Sequence, residues 1–524
     1  MAAPWGFKCQ PNARILIMNH PLFFFYYQYQ VKYAQSIHQY SASYRLKLKQ
    51  VEYMKKTIVA CSVLFAAMLT VKQATAQETD GLHHMSKEYV APTDPLVIKK
   101  LDKWQDQRFG LFMHWGPYTL WEEVESWSIC PDDWVVRKGP YSADYNVYRE
   151  AYEKLPNEFN PVDFNPEKWA KAAKNAGMNY VVFTTKHHDG FCMFDTKQTD
   201  YKITAPNVPF SKNPKANIAK EIFDTFRKDS FMIGAYFSKP DWHSQDFWWK
   251  YYPVMGRNTN YNIKMYPEKW AAFKEYTYRQ IEELMTNYGT IDILWLDGGW
   301  VRPGGKQEID MPKIAAMGRK NQPGLIVVDR EVPGEFENYA TPEQTLPDKP
   351  LPYPWETCMS MGDSWTYTHT DQMKSSLKLV TLLVKIVSRG GNFLLNIGPS
   401  AKGDWTPQAY ERLADIGAWM KINGEGIHAS RPVAPYSDNN VFYTQRKDSS
   451  ATYAFFTSDS DAVKLPETVA FAIEKPAKIK RVTLLGTKAK LSWKLNNGKL
   501  EIKIPKNLQQ QSGLKYAAAF KVEA

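Results

Sequence analysis

Cysteine is scarce: the chain has five in 524 residues, and only Cys130, Cys192 and Cys358 lie beyond the first 77. Three thiols cannot frame a disulfide-built fold, and their spacing is not that of a zinc knuckle. No glycine-rich phosphate loop follows any apolar segment, which removes nucleotide-binding folds. Internal repeats and low-complexity linkers are missing too. Positive charge is scarce where it would matter. Eight of the eleven excess positive charges fall within residues 1–77, so the remainder is close to balance and offers no surface for nucleic acid. Aromatic residues, at 14% with 18 tryptophans, are what the chain has in abundance. Their faces suit ligands with apolar ring surfaces, sugars among them, although a large barrel also buries many aromatics.

The longest-range information in the amino-terminal part concerns destination. Met54-Lys55-Lys56 opens a basic region, Ile58 to Leu69 is a short apolar run, and Ala74-Thr75-Ala76 supplies small residues for a signal peptidase. This pattern predicts a secretory signal peptide over 54–76, cleaved after Ala76, and is too short for a comfortable membrane span. A signal peptide works at an amino end, so translation is expected to start at Met54, with residues 1–53 a non-native upstream extension. The expected destination is the periplasm or the cell exterior, with no stable membrane insertion after cleavage.

From Leu96 to Met420 short apolar strands alternate with helical patterns. Strands are predicted at Phe109–Met113, Val181–Thr185, Phe231–Phe237, Ile291–Asp297, Leu325–Asp329 and Asn392–Asn396. Between them run helices such as Pro166–Gly177, Ile218–Arg227 and Trp270–Tyr288. The pattern predicts an α/β fold: a (β/α)8-like TIM barrel over 77–424, with an open doubly wound sheet as runner-up. After Gly424 short alternating strands predict a C-terminal antiparallel β-sandwich over 425–524, packed tightly on the barrel.

Chemistry is expected where barrel strands end. Asp297 closes the run Ile291-Asp-Ile-Leu-Trp-Leu-Asp297 and precedes two glycines. His114 follows the first strand; Lys186, His187, His188 and Asp189 follow the second; Ser238, Asp241 and Trp242 follow the third; Arg330 follows Asp329. Any one of these has a structural explanation. Together they equip a sugar pocket, with Trp faces for the ring, His and Arg for hydroxyls, and two carboxyl groups for the bond. Adjacent residues on an extended chain point to opposite sides, so His187 and His188 are expected not to share a metal, and no metal or organic cofactor is expected.

Six ordered segments carry a resemblance. Arg108-Phe-Gly-Leu-Phe-Met-His-Trp-Gly-Pro-Tyr118, Lys186-His-His-Asp-Gly-Phe191, Trp295-Leu-Asp-Gly298, Trp355-Glu-Thr-Cys358, Asp363-Ser-Trp-Thr-Tyr367 and Val387–Pro399 are similar to the α-L-fucosidases of glycoside hydrolase family 29. The resemblance spans residues 96 to 420. It implies an exo-acting retaining α-L-fucosidase working on a fucosylated oligosaccharide or glycoprotein glycan, with Asp297 as nucleophile. For the acid/base it implies Glu356, in the Trp-Glu motif, ahead of its rival Glu343. His114, His187, His188, Trp295, Tyr236 and Arg330 would contact the sugar. The family's Glu-Trp pair after the first strand is shifted here to Ser126-Trp127, with Glu125 one position early; Trp127 is taken as a pocket wall and Glu125 as a further contact. Trp295 and Phe191 are candidates for the niche that receives the fucose methyl group. Other readings are a glycan-binding protein without turnover, a retaining glycosidase for another sugar such as a galactoside, and a metal-dependent hydrolase. The sequence leaves the oligomeric state open.

Overall fold

A computed structural model describes residues 89–305, 307–473, 479–496, 498–509 and 514–523; the leader and the upstream extension lie outside the described residues. Seven parallel strands form one sheet: β1 (Phe109–Met113), β2 (Tyr180–Lys186), β3 (Met232–Ser238), β4 (Ile293–Asp297), β5 (Ile326–Asp329), β6 (Glu356–Ser360) and β7 (Asn392–Asn396). Their order is β5-β4-β3-β2-β1-β7-β6, every neighbouring pair parallel. Every residue of these strands is buried, which is why the segments read as continuous apolar runs.

The sheet's two edges, β5 and β6, are joined by an irregular segment. Asn338 N–H donates to Val327 O (3.0 Å) and Glu356 N–H to Ala340 O (2.8 Å), while Gln344 N–H reaches Cys358 O (2.9 Å). Residues 336–344 thus satisfy both edges in place of a regular eighth strand. The helices up to residue 423 are α1 (Pro95–Gln107), α2 (Tyr145–Glu153), α3 (Pro166–Asn175), α4 (Ile218–Lys228), α5 (Pro267–Asn287), α6 (Met311–Asn321), α7 (Ser376–Ser388) and α8 (Pro407–Asn423). Proline stands in the first turn of α1, α3, α5, α6 and α8, where no N–H is needed. Side-chain caps from Asp94, Asn165, Asp310, Ser375 and Thr406 start α1, α3, α6, α7 and α8.

Strand alternation sorts side chains between two cores. Phe112, Val182, Tyr236, Ile293, Trp295, Ile326, Val328 and Leu394 fill the barrel interior. Their neighbours Leu111, Val181, Ala235, Leu294, Leu296 and Val327 face the helices.

Downstream, a five-stranded antiparallel sheet and a three-stranded one face each other across a second core. The first holds β8 (Ser430–Asp438), β9 (Val441–Arg446), β10 (Ala451–Ala462), β12 (Arg481–Leu484) and β15 (Lys515–Glu523); the second holds β11 (Thr468–Ala472), β13 (Ser492–Asn496) and β14 (Lys499–Lys503). The five-stranded sheet's other face, with Phe442, Tyr453, Phe455 and Ala519, merges into the barrel's outer core. Trp419 on α8 donates its indole N–H to Ala517 O at 2.9 Å. The two parts therefore pack tightly, as expected. Arg108 stitches them further: its buried guanidinium donates to Gly390 O (2.6 Å) beside the barrel and to Ser430 O (Nε, 3.2 Å) at the start of β8. Removing it leaves buried carbonyls without donors. Arg108→Ala is expected to lower unfolding free energy by about 2–4 kcal/mol in urea denaturation; a loss below ~1 kcal/mol would show that the tether is incidental.

Candidate active site

Period-two alternation decides what reaches the barrel mouth. Asp297 shares the inward face of β4 with Ile293 and Trp295, Arg330 continues that of Val328, and His114 continues that of Phe112. All three lie where their strands end. Gly298 follows at φ +90°, and a Cβ there would collide with Pro240, so only glycine lets the chain turn directly behind Asp297.

Asp297 is held from both oxygens. Tyr236 donates its hydroxyl to Oδ2 at 2.7 Å, and Arg330 Nη1 donates to Oδ1 at 3.0 Å. The Gly298 N–H adds 2.8 Å to Oδ1. Burial by itself pushes the carboxyl up, but the Arg330 guanidinium and the Tyr236 hydroxyl outweigh it and hold Asp297 well below the usual carboxylate range. The other fork of Arg330, Nη2, pairs with Glu343. One guanidinium is thus shared by two carboxylates. Glu343 reaches it from the irregular edge segment, which bridges to β6 at Cys358. Its side chain keeps 22% of its surface exposed.

Three imidazoles line the same mouth. His114 Nδ1 lies 2.9 Å from Asn396 Oδ1, and the Asn396 amide is oriented by donation to Trp365 O at 2.6 Å. His188 Nδ1 lies 2.8 Å from Ser238 Oγ, whose own proton goes to Pro240 O at 2.6 Å. Both networks place the imidazole proton on Nδ1 and leave Nε2 as a bare acceptor. Burial pushes His114 and His188 down to about 4 and His187 well below the usual range. The rings are therefore neutral at pH 7. His188 Nε2 stands 3.8 Å from Asp297 Oδ2, two acceptors facing one gap, which a ligand hydroxyl would satisfy.

Several expectations need correction. His187 and His188 do not diverge: β2 ends at Lys186, so both rings lie on non-strand backbone, 4.3 Å apart at their centroids. Donor atoms of His187, His188 and Asp297 lie within 4.8 Å of one another, close enough to hold a metal. The donor set fits a cation poorly, since both Asp297 oxygens already accept protons and Arg330 is adjacent. Glu356 does not join Asp297. It opens β6 rather than closing it, is fully buried, and accepts from Tyr180 (2.6 Å) and from Trp295 Nε1 (3.2 Å) inside the barrel. Phe191 packs on Phe159 and Tyr201 in the outer core and supplies no niche at the mouth.

Trp127 forms a wall with Trp242, Trp300 and His188, and Arg257 lies 4.9 Å from its ring centre. Glu125 is buried, with Oε2 unpartnered among the described residues. Burial, reinforced by the Glu343 charge, pushes it up to about 8. Sequence reasoning missed the supports Ser126, whose hydroxyl meets His187 Nδ1, and Asn396. Asn396 carried a readable signal, a polar residue closing a buried strand as Asp297 does. At the same ends of β2 and β3, the buried ion pair Lys186–Asp241 (3.1 Å) fixes the turn after β2. Gly190, at φ +81°, leaves room there for the Asp241 carboxylate.

The α-L-fucosidase family profile matches residues 76–425, and that of the α-L-fucosidase C-terminal domain matches residues 435–523. The chain belongs to the α-L-fucosidase family. It is similar to the tissue α-L-fucosidase of Rattus norvegicus, 28% identical over 80% of this chain and 88% of the relative. α-L-Fucosidase isoenzyme 1 from Paenibacillus thiaminolyticus is 30% identical with TM-score 0.66, over 82% of this chain and 99% of its own. The family 29 fucosidase of Bacteroides thetaiotaomicron, trapped as a covalent intermediate with 2-fluoro-fucosyl fluoride, shares the fold at 24% identity and TM-score 0.66, over 84% and 99%. This α-L-fucosidase family member is thus a glycoside hydrolase on a TIM-like barrel with an antiparallel C-terminal domain.

The Asp297–Arg330 pair makes a pH prediction. In Arg330→Met the largest influence opposing burial is gone and only weaker ones such as the Tyr236 hydroxyl remain, so the carboxyl of Asp297 rises. The acidic limb of kcat/KM should move to higher pH, with activity lost earlier as pH falls. A pH–rate profile with an unmoved acidic limb would contradict the role of Arg330 in keeping Asp297 ionised.

Proposed function

We propose that this chain is an exo-acting, retaining α-L-fucosidase that removes terminal α-L-fucosyl residues from oligosaccharide or glycoprotein glycans outside the cytoplasm. The observation that supports it most is the single guanidinium held between Asp297 and Glu343. Two carboxyl groups share one guanidinium fork, as suits a double displacement, which needs them about 5 Å apart. Asp297, kept ionised, attacks the anomeric carbon as the bond to the aglycone oxygen breaks, and Glu343 gives that oxygen its proton. Glu343 then takes a proton from water, whose oxygen attacks the same carbon and frees Asp297. For Glu343 to carry a proton its pairing with Arg330 must open as the sugar enters. The trapped species on the Bacteroides fucosidase is of the kind this route requires.

The acceptor-lined mouth fits the sugar. His114 and His188 present bare Nε2 atoms, and Trp127, Trp242 and Trp300 supply apolar faces. A fucosyl ring offers hydroxyl donors to the first group and C–H surface to the second. In this reading His114, His187, His188 and Arg330 contact the sugar, and Tyr236 and Trp295 lie beneath it. A second assignment of the proton donor rests on Glu125, which is buried and proton-holding at neutral pH. Residues 54–76 direct export, and the mature chain begins at Gln77; no helix among the described residues is long and apolar enough to cross a membrane.

Residues 77–524 should release 4-nitrophenol from its α-L-fucoside, and Asp297→Ala should lose at least about a thousandfold in kcat. Azide should rescue Asp297→Ala as the β-fucosyl azide and Glu343→Ala as the α-fucosyl azide. An α-azide from Glu125→Ala, with none from Glu343→Ala, would move the acid/base to Glu125. Turnover should survive EDTA; its loss, restored by a divalent ion, would favour the metal-dependent reading. Galactoside turnover above that of the fucoside would overturn the sugar assignment.

A further inference from the structure

Glu356 has no part in that chemistry, yet the barrel tolerates it at a costly place. The lumen positions around it are apolar or aromatic, among them Phe112, Val182, Ile293 and Leu394. A buried carboxyl there is unfavourable unless its bonds are used. We propose that Glu356 is a positioning residue for the nucleophile, acting through the Trp295 indole.

The contacts that carry this run in one direction, from the base of the lumen to its mouth. Glu356 Oε1 accepts from Trp295 Nε1 at 3.2 Å, and Oε2 is anchored by the Tyr180 hydroxyl at 2.6 Å. The backbone of Glu356 is itself fixed, its N–H donating to Ala340 O at 2.8 Å. Trp295 is buried, and an indole has one N–H, so this bond sets the rotation of the ring about its side-chain axis. The ring carries two further groups. Tyr236 stacks on it, centroids 5.3 Å apart at 23°, and the Arg330 Cζ lies 5.3 Å from its centre. These two side chains are the ones that donate to opposite oxygens of Asp297. Phe112 closes the remaining side at 5.3 Å. Trp295 is therefore a plate under both donors of the nucleophile, and Glu356 is the peg that stops the plate from turning. Loss of the peg lets Tyr236 and Arg330 shift together, and misplacement of about 1 Å at a reacting group costs large factors in rate.

This role rests on the retaining reading above and differs from the proton donor's in measurable ways. A proton donor matters in proportion to how poor the leaving group is; a positioning residue costs the same on every leaving group. The test uses Glu356→Leu, which has no acceptor for the indole N–H, with Trp295→Phe and the double variant, assayed with 4-nitrophenyl α-L-fucoside and with an alkyl α-L-fucoside. Each single variant should lose about tenfold in kcat on both substrates alike, with KM changed less than about twofold and no rescue by azide. The double variant should be no more than about twofold below the worse single one, because both changes remove one linkage.

Losses that grow with the basicity of the leaving group and are rescued by azide would make Glu356 the proton donor and overturn the proposal. Multiplying losses would show that Glu356 and Trp295 act separately and would overturn it too. Should Glu356→Leu fail to fold, judged by near-ultraviolet circular dichroism, Trp295→Phe decides alone, since it removes the bond and keeps the carboxyl; unchanged kcat there also overturns the proposal. Failure of the fucosidase reading itself would show in the unaltered protein, which would not turn over either fucoside.

Discussion

The site depends on one buried cation. Arg330 stands between Asp297 and Glu343, and the barrel gives it little water. A guanidinium in that position cannot lose its proton and cannot be left unpaired. It keeps Asp297 ionised against a burial that would otherwise neutralise it, and it ties the closed end of β4 to the irregular segment between β5 and β6. The geometry of Asp297 and the position of Glu343 are therefore set by the same side chain. Because the surroundings are apolar, each of these contacts acts with more force than it would in water.

Around this centre the supporting residues are ordinary hydroxyls and amides placed where strands end. Ser238 closes β3 and fixes the proton of His188; Asn396 closes β7 and fixes that of His114. Each leaves a bare nitrogen facing the mouth. A pocket lined by acceptors, a cation and indole faces selects for a ring rich in hydroxyl donors with an apolar side. The sandwich adds no residue to this set. Its contribution is mechanical, through Arg108, Trp419 and the shared core behind α7 and α8.

Much of this was legible in the sequence, for a physical reason. A carboxylate that ends a run buried on both faces, followed by glycine, has few places to go in an α/β protein, and Asp297 is such a residue. The same logic located His114, Arg330 and the barrel itself. It misled where motif outweighed direction: Glu356 precedes the apolar run Thr357–Met361, so it opens a strand and belongs inside the barrel rather than at its mouth. Glu343 carried no periodic signal because it sits on an irregular segment whose only regularity is its bonding to both sheet edges. The expected divergence of His187 and His188 assumed an extended chain, and β2 ends one residue too early for that. Three strands of the sandwich, β8, β13 and β15, carry little of the alternating signal that marks a half-buried strand. Ser430–Asp438 contains two prolines, Ser492–Asn496 is largely exposed, and Lys515–Glu523 reads as apolar on both faces because the five-stranded sheet is covered on both sides.

In the proposed mechanism Asp297 is the group that bonds to the sugar. The most direct measurement is peptide mapping by mass spectrometry after exposure to 2-deoxy-2-fluoro-α-L-fucosyl fluoride, which loses fluoride as it esterifies a retaining nucleophile. One fluorofucosyl group per chain, on the peptide and residue of Asp297, is the expected result. The label on Glu125, Glu343 or Glu356, or steady hydrolysis of fucosides with no label on any carboxylate, would contradict it.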